Sequence, residues 1–255
     1  MLQIGQLSVN ITSMQKRDEK TINLPSKIEE FFNAGVHYGY GKSRRHPSVS
    51  PYIYTTKNNG DIIDLEKTIV LLDKATQFVK DLGARNKVIL FVGTKPEAKE
   101  IIKNAAESLN MPYVVERWIG GTLSNFSEIK KRIAVLENYH KDSEAGGLSK
   151  YTKKERSVLA KKMEKLTKYY LGLIGLKKAP DAVFVIDAKQ ESIATTEAKK
   201  GGVPIIALIN SDSNIKSVDY PIVGNDASVP SIKLFTKAII EAYKGGQLSI
   251  PDKEA

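Results

Sequence analysis

The sequence predicts an α/β fold, a three-layer sandwich with a mostly parallel sheet and helices on both faces, interrupted by one inserted helical hairpin. Two observations carry this. Strand and helix signals alternate through most of the 255 residues, the pattern that builds β-α-β units. Between MPYVVERW and DAVFVID the alternation stops and two amphipathic stretches take over. The main sheet is expected to hold about five strands, an ordinary size.

The elements follow in chain order. SKIEEFFNAG reads as a helix, with Ser26 as N-cap and Gly35 beyond its end. PYIYTT and DIIDL flank KNNG, whose Asn-Gly is a hairpin turn signal. In LEKTIVLLDKATQFVKDLG, Leu65, Ile69, Leu72, Thr76 and Val79 keep helical spacing and Gly83 can end the helix. KVILFVG is a continuous apolar run, as in a strand buried on both faces. Thr94 and Pro96 open the next helix. MPYVVERW, DAVFVID, VPIIALIN and DYPIV read as strands, with helices from about Glu191 to Lys200 and Ser228 to Tyr243.

The insertion has its own period. Leu123, Phe126, Ile129, Ile133, Leu136 and Tyr139 fall at helical spacing, and EAGGLS at 144–149 is a breaker. Leu159, Met163, Leu166, Tyr170 and Leu173 then form a heptad-like seam. Two such helices make an antiparallel hairpin that is expected to protrude. The chain divides into an N-terminal extension (1–24), a globular domain (25–122 and 177–245), the hairpin (123–176) and a tail (246–255).

Charge singles out the same insertion. The chain carries +10 overall. Residues 130–178 hold fourteen Lys/Arg against five Asp/Glu, while the rest hold 25 against 24. A concentrated basic block is the electrostatic footprint of a polyanion partner. With no cysteine, disulfides, thiolate zinc sites and a cysteine nucleophile are excluded. No apolar run approaches the ~18 residues of a membrane span, and the N-terminus has no secretory pattern. NIT at 10–12 matches a glycosylation acceptor, which without an export signal carries no meaning.

Two chemistries compete for the remaining motifs. KVILFVGTKPEA resembles the strand–turn–helix entry of a nucleotide fold, and Thr94, Lys95 and Asp187 would serve a nucleotide- or phosphometabolite-binding enzyme. Against it, there is no GxGxxG, no GxxxxGK[ST], no GxSxG and no metal-ligand spacing around His37, His46 or His140. The RNA reading absorbs more. In GVHYGYGKSRRHP, a loop ahead of the first strand, Lys42, Ser43, Arg44 and Arg45 can donate to phosphates, and Tyr38, Tyr40 and His46 can stack on bases. In RWIGGTLSN, Arg117 precedes a Gly-Gly turn, with Thr122 and Asn125 at a helix start and Trp118 as packing anchor, contact surface or both. Lys95 and the arm residues Lys150, Lys153, Lys154 and Arg156 complete the candidate RNA contacts. No catalytic residue, metal or cofactor is assigned.

Taken in order, GVHYG, SRRHP, PYIYTTKNNGDIIDLEKT, FVGTKPEAKEII, RWIGGTLSN, YLGLIGL, PDAVFVIDAKQESIATTEAKKGGVPIIALINSDSN and VDYPIVGNDASVPSI resemble the bacterial-type family of small ribosomal subunit protein two, over residues 25–244. The resemblance implies a Rossmann-like, flavodoxin-like sandwich with an inserted coiled-coil hairpin. It implies a structural, non-enzymatic role in translation on the cytoplasmic small subunit, with rRNA binding during assembly. The implied partners are small-subunit rRNA and neighbouring ribosomal proteins, including the large mRNA-binding ribosomal protein one; no membrane, small-molecule substrate or second copy of the chain is implied. The chain departs from the family at Tyr40, where a His is common, and at Arg45-His46, where Trp-Asn is common.

Overall fold

A computed structural model describes residues 23–144 and 152–249. Residues 1–22 of the extension, most of the breaker at 144–149, Lys150 and the end of the tail lie outside the described residues.

Helix α1 (Asn23–Asn33) begins upstream of Ser26, which therefore lies inside it rather than capping it. Gly35 does end it. At φ +70° it sits in the left-handed region, while the N–H of Gly35 donates to Phe32 O and that of Val36 to Phe31 O. Such bonds satisfy the last carbonyls of a helix.

Strands β1 (Tyr38–Gly41), β2 (Ile53–Lys57) and β3 (Gly60–Ile63) form a small antiparallel sheet in the order β1-β3-β2. The expected hairpin is β2–β3, but its turn pair is Asn58-Asn59, both at positive φ, with Lys57 paired to Gly60. Asn tolerates that conformation, and the resulting twist suits a two-residue turn. The segment read as a loop ahead of the first strand is itself β1. It pairs with β3, so its backbone donors and acceptors are met in a sheet and not left to solvent.

The main sheet holds β4 (Ile89–Val92), β5 (Tyr113–Val114), β6 (Ala182–Ile186), β7 (Ile205–Ile209) and β8 (Tyr220–Val223), all parallel, in the order β5-β4-β6-β7-β8. Counted within the sheet this is 2-1-3-4-5, the flavodoxin-like doubly wound order. Ile89, Phe91, Phe184, Ile186, Ile206 and Leu208 face one core; Leu90, Val92, Val183, Val185, Ala207 and Ile209 face the other. That alternation is the two-residue period of a strand with both faces covered. MPYVVERW contributes only the short edge strand β5.

Helices α2 (Leu65–Ala84), α3 (Pro96–Ser108) and α7 (Val229–Gln247) cover the first face; α4 (Phe126–Glu144), α5 (Lys153–Tyr170) and α6 (Ser192–Lys200) pack on the second. Gly83 does not end α2 but lies within it, at the crossing with α7. A Cβ there would collide with the carbonyl of Tyr243, and one on Gly246 with the carbonyl of Lys80. The two glycines let the helix backbones touch. Helices α4 and α5 contact each other and turn Ile129, Ile133, Leu136, Met163 and Tyr170 inward, on the predicted faces. A capping box between Thr152 and Glu155 starts α5. No described helix is long and apolar enough to cross a membrane.

Candidate nucleic-acid interface

After β1 the chain makes a 3-10 turn over Lys42–Arg44, and Lys42, Ser43 and Arg44 are all exposed. Neither cation takes part in an ion pair among the described residues. Arg44 instead lies over the Tyr40 ring, 5.1 Å from its centroid. These are side chains whose charge still faces solvent.

Arg45 is different. Its guanidinium grips both carboxylate oxygens of Asp61, with Nε 2.7 Å from Oδ2, and also donates to Thr56. Asp61 is fully buried, and the Arg45 bond chiefly holds its carboxyl below the usual range. The fork is thus committed inside the protein. His46 is partly buried. Its Nδ1 lies 2.7 Å from Ser48 Oγ, and its backbone N–H donates to Ser211 O. It caps the following 3-10 turn. His37 is buried, stacked on Phe32 at a ring distance of 4.4 Å and tilted against Tyr38 at 4.0 Å. Burial lowers its pKa, so it serves as a neutral packing ring. Tyr38 and Phe32 are more than half exposed.

The crevice at the C-terminal ends of β4 and β6 is the switch point of the sheet, where this topology binds nucleotides. Here it is filled by the chain's own groups. Lys95 Nζ lies 2.6 Å from Asp187 Oδ2 and 2.9 Å from Asp226 Oδ2. Burial works against the Lys95 charge, but Asp226 and Asp187 more than offset it and hold the ammonium well above its ordinary pKa. Burial pushes the Asp226 carboxyl up, and Asn210 donates to its other oxygen at 3.0 Å. Asp187, at φ +65°, accepts from the N–H groups of Lys189 and Gln190. The Thr94 N–H and hydroxyl donate to Glu191. Pro96 removes a donor at the start of α3, and Lys95 provides no side-chain cap. The groups that would hold a phosphate in the rival enzyme reading are therefore bonded to one another. Lys95 itself is only 8% exposed, so the position offered above as an RNA contact is turned inward. No group of His, Asp and Glu among the described residues could hold a metal ion.

RWIGGTLSN divides in the same way. Arg117 and Asn125 are exposed, whereas Trp118 and Thr122 are buried. Thr122 Oγ1 donates to Ile119 O at 2.6 Å, and the N–H of Asn125 donates to Gly121 O. The loop is gripped by Glu197 of α6, a residue the sequence did not single out. Its Oε1 accepts from Gly121 N at 2.7 Å and its Oε2 from Leu123 N and Ser124 N at 3.0 and 3.3 Å. Burial pushes the Glu197 carboxyl up, but the amides more than compensate and its pKa is lowered. Nothing in the local sequence distinguishes this Glu from a solvent-facing helix residue.

On the basic insertion, Lys130, Lys131, Arg132, Lys153, Lys154 and Arg156 are exposed. Lys131 pairs with Glu128 on its own helix, while Lys153, Lys154 and Arg156 make no ion pair among the described residues. The structure thus separates the candidates into exposed cations (Lys42, Arg44, Arg117, Lys153, Lys154, Arg156) and internal supports (Arg45, Lys95, Trp118, Thr122).

Comparison with known proteins identifies the family. The model of the family "Ribosomal protein S2" matches residues 31–246. The small ribosomal subunit protein uS2 of Helicobacter hepaticus is 42% identical over 227 residues, covering 89% of this chain and 86% of that protein. Proteins of the same name from Wolinella succinogenes and Coprothermobacter proteolyticus are 42% and 41% identical over 220 residues, covering 86% of this chain and 81% and 82% of theirs. With a match over nearly the whole folded chain and relatives at this identity, this chain belongs to the ribosomal protein S2 family, whose members are structural components of the ribosome and not enzymes.

Proposed function

We propose that the protein binds small-subunit rRNA and supports assembly of the small subunit. The observation that carries this is the set of exposed cations without acidic partners among the described residues, Lys42, Arg44, Lys153, Lys154 and Arg156, beside Arg45 and Lys95, which are paired internally. Such cations neutralise phosphates and release counterions, while the rigid body sets their orientation. On this reading α4 and α5 belong to an antiparallel coiled-coil arm whose exposed cations add diffuse attraction. Arg117 and Asn125 present a second contact beside it. Ser43 and His46 line the first.

Docking of ribosomal protein one and neighbouring ribosomal proteins belongs to the same reading. The exposed aromatics Phe32 and Tyr38, with Tyr54 at 76% exposure, support it. Aromatic surface of this kind marks a contact face for a protein or for a base.

Co-sedimentation of the purified chain with small subunits depleted of it tests the function. Incorporation with rRNA affinity that falls by roughly 0.7–0.9 log units per phosphate contact for each log unit of salt supports the reading. Salt-insensitive binding sinks it.

A further inference from the structure

The cluster at the switch point holds a buried lysine and two carboxylates that pair with one another. Charged groups in such a place are costly unless paired, and well-packed apolar groups often serve stability as well. What the cluster touches on its outer side is Tyr40. Lys95 Nζ lies 3.5 Å from the Tyr40 hydroxyl and 6.0 Å from its ring centroid. The backbone N–H of Tyr40 donates to Ser211 Oγ at 2.9 Å, in the loop that follows β7. The same ring carries the Arg44 guanidinium at 5.1 Å. Tyr40 thus stands in contact with both a buried cation fixed by Asp187 and Asp226 and an exposed cation with no acidic partner. A cation over an aromatic face is attracted by the ring, more so as it is desolvated. A fixed ring therefore restricts the rotamers of a long, otherwise mobile Arg side chain, and ordering it in advance lowers the cost of contact.

We propose that Lys95, locked by Asp187 and Asp226, is a positioning residue for rRNA binding: it fixes Tyr40, and Tyr40 seats Arg44 for a phosphate contact. This rests on the rRNA reading above. The crevice that takes a ligand in other sheets of this order is here a strut behind a binding turn.

The test uses the full chain and a small-subunit rRNA transcript, with Kd measured across a salt series. Arg44→Ala is expected to lower the salt slope by about one contact, roughly 0.7–0.9. Tyr40→Leu removes no charge, yet the proposal requires it to lower the slope by most of that amount. In an Arg44→Ala background it should then have no further effect. Tyr40→Phe keeps the ring under Arg44 but loses the hydroxyl contact with Lys95, and its slope should fall between those of Tyr40→Leu and wild type. The neutral cluster Lys95→Met with Asp187→Asn and Asp226→Asn avoids stranding a buried charge, and should reproduce Tyr40→Leu. A folded cluster variant with the wild-type slope, a Tyr40→Leu chain with the wild-type slope, or slope losses of Tyr40→Leu and Arg44→Ala that add in the double variant each overturns the proposal, and the last two do so even if the cluster variant fails to fold. A wild-type chain that does not bind the transcript fails earlier and overturns the rRNA reading itself.

Discussion

Glu197 offers the most direct test of how the body of the protein shapes its surface. Its two carboxylate oxygens take three backbone N–H groups of the loop, Gly121, Leu123 and Ser124. Hydrogen bonds to a charged group contribute roughly 1.5–3 kcal/mol each in favourable cases. The sum is discounted here, because Gly121 and Leu123 are only partly buried and Ser124 is exposed, so water can replace part of what is lost. Glu197→Gln keeps one acceptor oxygen and should cost about 1–2 kcal/mol; Glu197→Ala should cost about 2–4 kcal/mol. The pH dependence has a definite sign. The folded-state pKa is lowered from 4.5, so the contribution of the anion is complete above that value. It is lost as pH falls through the folded-state value. Urea unfolding of wild type and Glu197→Gln should therefore differ most at neutral pH and converge in acid. Amide exchange should speed up at Gly121, Leu123 and Ser124 while β4 and β6 stay protected. Unchanged exchange at those three amides, or a stability gap that does not depend on pH, would refute this account of the loop.

Three further outcomes follow from the same geometry. Replacing Lys153, Lys154 and Arg156 by Gln should lower the salt slope of rRNA binding by about 2–3, with urea stability held within ~0.5 kcal/mol; an unchanged slope means that the arm makes no phosphate contact. Arg45→Ala should do the reverse, costing about 1–3 kcal/mol of stability by stranding the buried Asp61, while a salt series on the folded variant keeps the wild-type slope. Gly83→Ala should destabilise by about 1–3 kcal/mol or more, since overpacking at a close contact forces backbone shifts, and thermal unfolding near wild type would show that α2 and α7 can separate without cost.

The parallel strands, the Asn-rich hairpin and the apolar faces of α4 and α5 were legible because each depends on residues a few positions apart. A two-residue or 3.6-residue period records which side of an element meets the core, and a turn needs only its own backbone torsions. The limits of elements were less legible. Gly83 looks like a helix stop, but its missing side chain answers to Tyr243 of α7. GVHYGYG looks like a glycine loop, but β3 supplies the partner that makes it a strand.

The candidate interface divides along the same line. By itself the sequence determined that the chain is basic in one block, that its alternation is α/β, and that GVHYGYGKSRRHP and RWIGGTLSN hold donors suited to phosphate. Only the tertiary structure decided which of those donors remain available. Arg44 and Arg45 are neighbours of one type, yet Asp61 takes the second and leaves the first over Tyr40. Lys95 reads as a cation at a helix start until Asp187 and Asp226 close on it. Glu197 reads as a surface residue until the loop 74 residues before it in sequence supplies amides to its carboxylate. The reason is physical. Residue type sets what a side chain can donate or accept, but whether that capacity faces solvent or an internal partner depends on groups brought close by the fold from distant parts of the chain.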